Sequence, residues 1–305
     1  MAVAAAPVTA RPTKLLPLRQ LGLISIYWFG INAVWGGYEW FGQTQVELMV
    51  GQGSRGLTIG LVEALGALIP ILVVPTAGSL SDYTRSRFGK RKGYIIGGAC
   101  FDLLFLSGLA FIAHAEPADW DGQALGTPAL MVLYTLLFVG LQVSSNVAQG
   151  PYQGFVPDLV AEKQVGLASG LVGVMRTVGL IAGFAVMAVG AAFEMWGAAF
   201  LTVGLIEFGL GVATFLGVDN GPPPKPREGR SWLSIGLETW DLGILRERSF
   251  VRMTLVRLFF LMGTGTFINI SLLYIERVFS ITEPDERSLV WMAALGMALA
   301  GTVLV

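Results

Sequence analysis

The sequence predicts an all-α membrane protein, a bundle of spanning helices joined by short loops. Its charge content is the first reason: 13% of residues are charged and 54% are hydrophobic, whereas soluble globular chains carry about 25% charged residues. The second is the presence of eight apolar runs near the length of about 20 residues that spans a bilayer as a helix. The third is the placing of Lys and Arg, which fall almost wholly on alternate loops, the signature of cytoplasmic segments.

The elements follow in chain order. Residues 1–20 form a basic tail with Arg11, Lys14 and Arg19. The apolar run behind it exceeds the 7–15 residues or so of a cleaved signal core, so it reads as a retained first helix. Spans are expected at roughly 21–48, 57–80, 93–114, 129–149, 166–190, 197–218, 251–274 and 288–305. With the tail inside, 15 of the 20 Lys and Arg residues lie on inner segments and 3 on outer ones, while Arg176 and Arg257 fall within spans. The bias holds at every crossing, so the N-terminus is expected in the cytoplasm and the protein in the plasma or inner membrane.

The stretch 219–250 breaks the pattern. Asn220–Arg230 carries Pro222, Pro223, Pro224 and Pro226 and cannot be helical. Trp232–Leu245, with Leu233, Ile235 and Trp240, suits an amphipathic helix on the membrane surface. The expected organisation is therefore a tail (1–20), six helices (21–218), a cytoplasmic linker (219–250) and further helices (251–305), which the family resemblance described below would make the first of a second, incomplete bundle. The last run stops at Val305 without a polar flank. A chain truncated at its C-terminus is expected on that ground; a complete eight-helix protein is the alternative.

Several classes are excluded. A net charge of −1 says nothing about nucleic acid, and none is expected as a partner of a membrane protein. Cys100 is the lone cysteine, so no intrachain disulfide can form, and His114 is the lone histidine, so no His-rich metal site exists. No Ser/His/acid or Cys/His set can be assembled, and no phosphate-binding glycine loop ends in Lys-Ser or Lys-Thr. The chain is expected to be no enzyme, to need no cofactor and to use no ATP.

Two motifs carry more. Gly78-Ser-Leu-Ser-Asp82-Tyr-Thr-Arg85-Ser-Arg87-Phe-Gly89-Lys90-Arg91-Lys92 is a dense basic loop between two apolar runs. Gly78 and Gly89 permit tight turns, and Asp82 can cap a helix or pair with a cation. Gly150–Gly170 contains Pro157, expected to stop a helix, and Asp158, expected to cap the next. Gly166 with Gly170, and Gly179 with Gly183, give small-x-x-x-small faces for helix packing. The first motif resembles the loop between helices two and three of major facilitator transporters, in the longer form of the sugar–cation symporters that include the sucrose–proton symporters. The second is similar to their loop between helices four and five. Tyr83 stands where many relatives carry Arg. The resemblance is good over the N-terminal half and weak beyond residue 220.

The resemblance implies the major facilitator fold, with Gly78, Asp82, Arg85, Arg87, Gly89, Lys90 and Arg91 as a latch between inward-open and outward-open states. It implies a cavity lined by helices one, two, four and five. Arg176 lies ten residues into the fifth run, about 15 Å deep, where it either binds substrate or pairs with an internal acid. In the fourth run Gln142, Asn146 and Gln149 share a face; amides suit hydroxyl-rich ligands, or bond neighbouring helices. In the first run Trp28, Asn32, Trp35, Glu39 and Gln43 form a stripe, either a stacking platform for sugar or an interfacial belt. Glu39, Glu63 and Asp102 are the candidate proton carriers, Asp102 and Glu207 being on helices expected at the periphery. The fourth run has no acid, unlike the melibiose-type sodium symporters, which favours proton coupling or none.

The expected function is therefore proton-coupled alternating access for a small hydrophilic solute, a sugar or glycoside, by a lipid-embedded protein that is monomeric when complete. A major facilitator exporter of a drug or metabolite and a non-transporting membrane sensor or assembly factor are the alternatives.

Overall fold

A computed structural model of the chain describes residues 12–114, 126–240 and 242–259. It divides into two compact units, Met1–Thr239 and Trp240–Val305. All its regular elements, among its described residues, are helices. Its elements are α1 (Leu18–Ser25), α2 (Tyr27–Tyr83), α3 (Lys92–His114), α4 (Gly126–Gln153), the short α5 (Phe155–Leu159), α6 (Val165–Ala192), α7 (Trp196–Gly217) and α8 (Trp232–Glu238). In the second unit a 3₁₀ turn covers Leu242–Arg246, and residues 251–259 are helical. The remainder of the expected span at 251–274, and all of that at 288–305, lie outside the described residues.

Five stretches among the described residues are long and apolar enough to cross a membrane: Leu57–Tyr83, Lys92–Ile112, Ala129–Leu159, Glu162–Ala192 and Trp196–Gly217. The expected first span, 21–48, is helical but is not one of them. Asn32, Trp35, Glu39 and Gln45 on its face lower its hydropathy.

The helical run α2 covers both the first and the second expected spans. The expected outer loop at 49–56 is helical instead. Contacts along α4 nevertheless show that α2 doubles back. Tyr27 stacks edge-on against Tyr152, their ring centroids 5.1 Å apart, while at the far end Tyr38 meets Tyr134, hydroxyl to hydroxyl, at 2.9 Å. The return leg passes Phe138 at Gly66 and comes back to Gly150 at Val74 and Gly78. Both ends of α2 thus sit at the same end of α4. A straight helix of 57 residues would hold them about 85 Å apart.

Glycines set how closely the helices approach. A Cβ on Gly183 would lie 2.0 Å from the Ala33 carbonyl oxygen, and one on Gly179 2.3 Å from that of Phe29. The backbones of α2 and α6 therefore touch, as the small-x-x-x-small pattern expects. Gly166 and Gly170 differ, since nothing lies within 4 Å of the Cβ position of either; they are not packing glycines within this unit. The core has two parts: Tyr38, Leu106, Tyr134, Phe138 and Phe200 at one end, and Leu21, Tyr27, Ala99, Tyr152 and Phe155 at the other. Leu61, Leu65, Leu68 and Leu72 on the return leg of α2 are exposed, as side chains facing hydrocarbon would be.

After α7 the chain runs without helix through its prolines to Ser231. There the Ser231 hydroxyl accepts a hydrogen bond from the Ser234 amide at 3.0 Å and caps α8. The surface helix expected over Trp232–Leu245 is shorter, ending at Glu238 with only Ile235 buried.

Candidate functional site

The basic loop and the loop after α4 form one network. The Arg91 guanidinium is its centre. It donates to Asp158 Oδ2 at 2.8 Å, Asp82 Oδ1 at 2.9 Å, Ser81 Oγ at 3.2 Å and the Pro151 carbonyl at 3.2 Å. Lys90 adds an ion pair to Asp158 at 2.8 Å and a longer one to Asp82 at 3.7 Å. Lys90 and Arg91 are both buried, so these pairs are shielded from the solvent that weakens surface pairs. Gly154 makes room: a Cβ there would fall 2.1 Å from Arg91 Cζ. Gly89 has φ +92°, a left-handed conformation that glycine tolerates, and Asn220 fills the space beside it.

Within the expected latch the residues divide. Asp82, Lys90 and Arg91 are in the network; Gly78 packs at Gly150 and Gly89 turns the chain. Arg85 and Arg87 point outward, Arg87 lying over the Phe88 ring at 4.5 Å. Asp158 caps nothing: it is too far engaged with Lys90 and Arg91, and the helices that follow have no side-chain cap. Pro157 sits inside α5, and α4 itself runs on through Pro151 to Gln153.

The linker adds two cations that sequence reasoning did not place here. Lys225 donates to Asp82 through both its backbone amide, at 2.8 Å, and its ammonium, at 3.0 Å. Arg230 donates to the Tyr83 hydroxyl at 3.2 Å and lies over the same ring at 4.9 Å. Tyr83 thus gives a cation a partner where an Arg would repel it.

The candidate ligand-binding residues lie mainly on α2, α4 and α6. The Arg176 guanidinium on α6 is exposed and stacks over the Trp28 ring of α2 at 4.2 Å. Trp28 also leans on Tyr152 at 5.4 Å. One and two turns along α2, Asn32 and Trp35 are half-buried. Asn32 spends an amide hydrogen on the Trp28 carbonyl at 2.7 Å, and Trp35 meets Tyr38 edge-on at 6.1 Å. On α4, the buried Asn146 donates to the Gln142 carbonyl at 2.7 Å and to Gln142 Oε1 at 3.2 Å. This holds the Gln142 amide beside Gly66, where an added Cβ would be 3.0 Å from Nε2. Gln149 is half-buried further along α4.

Glu39 and Glu63, on the two legs of α2, are exposed and close enough for their charges to interact. Asp102 is elsewhere, fully buried among α3, α4 and α7 with Ser144 and Glu207. The side chain of Gln43 is outside the described residues. Among the described residues no group of three His, Cys, Asp or Glu could hold a metal ion.

The two motifs read from the sequence thus meet in one buried ionic network of Asp82, Lys90, Arg91 and Asp158. A family model described as Major Facilitator Superfamily matches residues 22–305. The chain belongs to the Major Facilitator Superfamily. It is an integral, multi-pass, all-α membrane protein. Among curated proteins it is similar to Sucrose transport protein SUC4 of Arabidopsis thaliana, 29% identical over 125 residues, covering 39% of this chain and 24% of that protein. It is also similar to Sucrose transport protein SUT4 of Oryza sativa, in subspecies indica and japonica alike, at 27% identity over 140 residues, 42% of this chain. The match covers 24% of the length of each relative.

The residues that sequence reasoning missed had uneven signals. Nothing in the spacing tied Asp158 to Arg91 or Lys225 to Asp82. Asp102 and Glu207 were both noted as acids within spans but not as a pair, although a signal existed: Asp102 lies ten residues after the start of its helix at Lys92 and Glu207 ten before the end of its helix at Gly217.

Proposed function

We propose that this chain is part of a secondary active transporter that carries a small hydrophilic solute, a sugar or glycoside, by proton-coupled alternating access. The similarity to sucrose transport proteins supports the substrate class. The observation that carries the reading is the Arg176–Trp28 stack near the half-buried Asn32 and Trp35. A guanidinium hydrogen-bonds hydroxyl oxygens, and an indole stacks on the apolar face of a sugar. Gln142 and Gln149 extend the polar lining along α4, and Asn146 positions Gln142. Glu39 and Glu63, both exposed, exchange the coupling proton with water.

In this reading the N-terminus and the basic loop face the cytoplasm of a plasma or inner membrane, and the complete protein acts as a monomer. The two bundles of the superfamily rock about a midplane site. The network of Asp82, Lys90, Arg91 and Asp158 holds one state closed and must open in the other.

Uptake of labelled sucrose into cells making the intact protein tests the reading. Arg176→Ala is expected to reduce uptake about tenfold or more at unchanged membrane abundance, the loss of a hydrogen-bonded, stacked cation of roughly 1.5–3 kcal/mol. Equal uptake by Arg176→Ala and the unmodified protein would remove Arg176 from the site. No uptake of any sugar by the unmodified protein would remove the substrate class.

A further inference from the structure

We propose that Asp102 and Glu207 together form an internal proton-binding site, holding one exchangeable proton between their two carboxyl groups inside the helix bundle. Both side chains are fully buried, at 0% exposure. Asp102 projects from α3 and Glu207 from α7, and the two carboxyls are within hydrogen-bonding reach of each other. Each group has one oxygen satisfied. Asp102 Oδ1 accepts from the Ser144 hydroxyl, and Glu207 Oε1 accepts from the Tyr27 hydroxyl at 3.2 Å. The other two oxygens, Asp102 Oδ2 and Glu207 Oε2, are buried and have no partner.

The groups facing the pair are all neutral. They are Tyr27 from α2 and Ser144 and Ser145 from α4. Among the described residues no Lys, Arg or His makes an ion pair with either acid. The site is also closed by backbone: a Cβ on Gly30 would meet the Glu207 Cα at 2.8 Å, and one on Gly211 would meet the Tyr27 ring at 3.2 Å.

Two adjacent carboxylates in such a place cannot both be ionised, because like charges repel strongly where water is absent. A single proton resolves both defects. Carried by one carboxyl and donated to the other, it bridges the pair, gives a buried unpartnered oxygen a role and halves the buried charge. The Tyr27 and serine hydroxyls, donating to the remaining oxygens, stabilise the negative charge that is left.

The pair is coupled to the candidate cavity through α2. Tyr27, which bonds Glu207, is followed in sequence by Trp28, which stacks on Arg176. A shift of α2 on ligand binding would change the Tyr27–Glu207 bond and with it the hold on the proton. This last step rests on the transport reading; the presence of the proton does not.

Infrared spectroscopy of the intact protein in lipid tests it, with the C=O stretch of a protonated carboxyl as readout. A band present at neutral pH and lost when the medium is made alkaline is expected. It should be missing from both Asp102→Asn and Glu207→Gln, because the amide N–H of either variant replaces the shared O–H. Its absence from the unmodified protein, its failure to titrate, or its persistence in both variants would overturn the proposal. The unmodified protein suffices should the variants fail to fold. Sucrose is expected to perturb the band; a band that titrates but ignores sucrose, in a protein that transports none, would sink the transport reading and leave the proton site standing.

Discussion

Replacing Arg91 with Ala tests the ionic network most sharply, because the Arg91 guanidinium hydrogen-bonds both acids and both loops. The substitution removes two charge-assisted hydrogen bonds, to Asp158 and Asp82, and two weaker ones, to Ser81 and the Pro151 carbonyl. Breaking a fully buried pair costs about 3–5 kcal/mol. The cost here is smaller, because Lys90 remains 2.8 Å from Asp158 and Lys225 remains 3.0 Å from Asp82. A loss of about 2–4 kcal/mol is therefore expected, at the level of one to two hydrogen bonds to charged groups. Arg91→Lys keeps the charge but not the planar fork, so about half that loss is expected. The assay is reversible denaturant unfolding of the intact protein in mixed micelles. A double-mutant cycle with Asp158→Asn should give a coupling of about 1–2 kcal/mol. A loss under about 0.5 kcal/mol for Arg91→Ala, or additive single variants, would refute the network as a stabilising unit.

Two further substitutions probe the packing. Gly183→Leu places side-chain atoms where a Cβ alone is 2.0 Å from the Ala33 carbonyl, so α2 and α6 must part; Gly170→Leu meets nothing within 4 Å. Size-exclusion chromatography should show the first losing most of its monodisperse yield, by the several kcal/mol or so of severe overpacking, and the second keeping it. Tyr152→Phe removes a hydroxyl that accepts from the Tyr27 amide at 3.1 Å and donates to the Ile24 carbonyl at 2.5 Å. It leaves both buried groups unpaired, and a loss of about 1–3 kcal/mol, read as a lowered Tm, is expected; an unchanged Tm would contradict the role of this bond at the α1–α2 junction.

How far the sequence spoke depended on the range of the interaction. Helix positions were legible because a span is a local property of some 20 residues, and Gly179 with Gly183 were legible because their spacing alone puts them on one face. Two local expectations failed for local reasons. The stretch 49–56 has no proline and keeps helical backbone where a loop was expected, although the run reverses direction between Tyr38 and Gly66. Asp158 sits at a position suited to capping, but cations 67 residues earlier in the chain take it instead. The basic loop was visible as a motif, yet its ion pairs were not, because spacing along one loop says nothing of what the neighbouring loop presents. The split among the acids has the same cause. Glu39, Glu63 and Asp102 look alike as single acids in apolar runs; only packing exposes the first two and encloses the third beside Glu207.

Proton movement driven by sugar tests the central claim most directly. The intact protein, reconstituted in liposomes with a pH-sensitive dye outside and no imposed gradient, should alkalinise the medium when sucrose is added, as each sugar molecule carries a proton inward. The effect should be lost in Arg176→Ala and should not appear with a non-sugar solute of similar size. Sucrose uptake with no change in external pH would contradict proton coupling, and no uptake at all would contradict sugar transport itself.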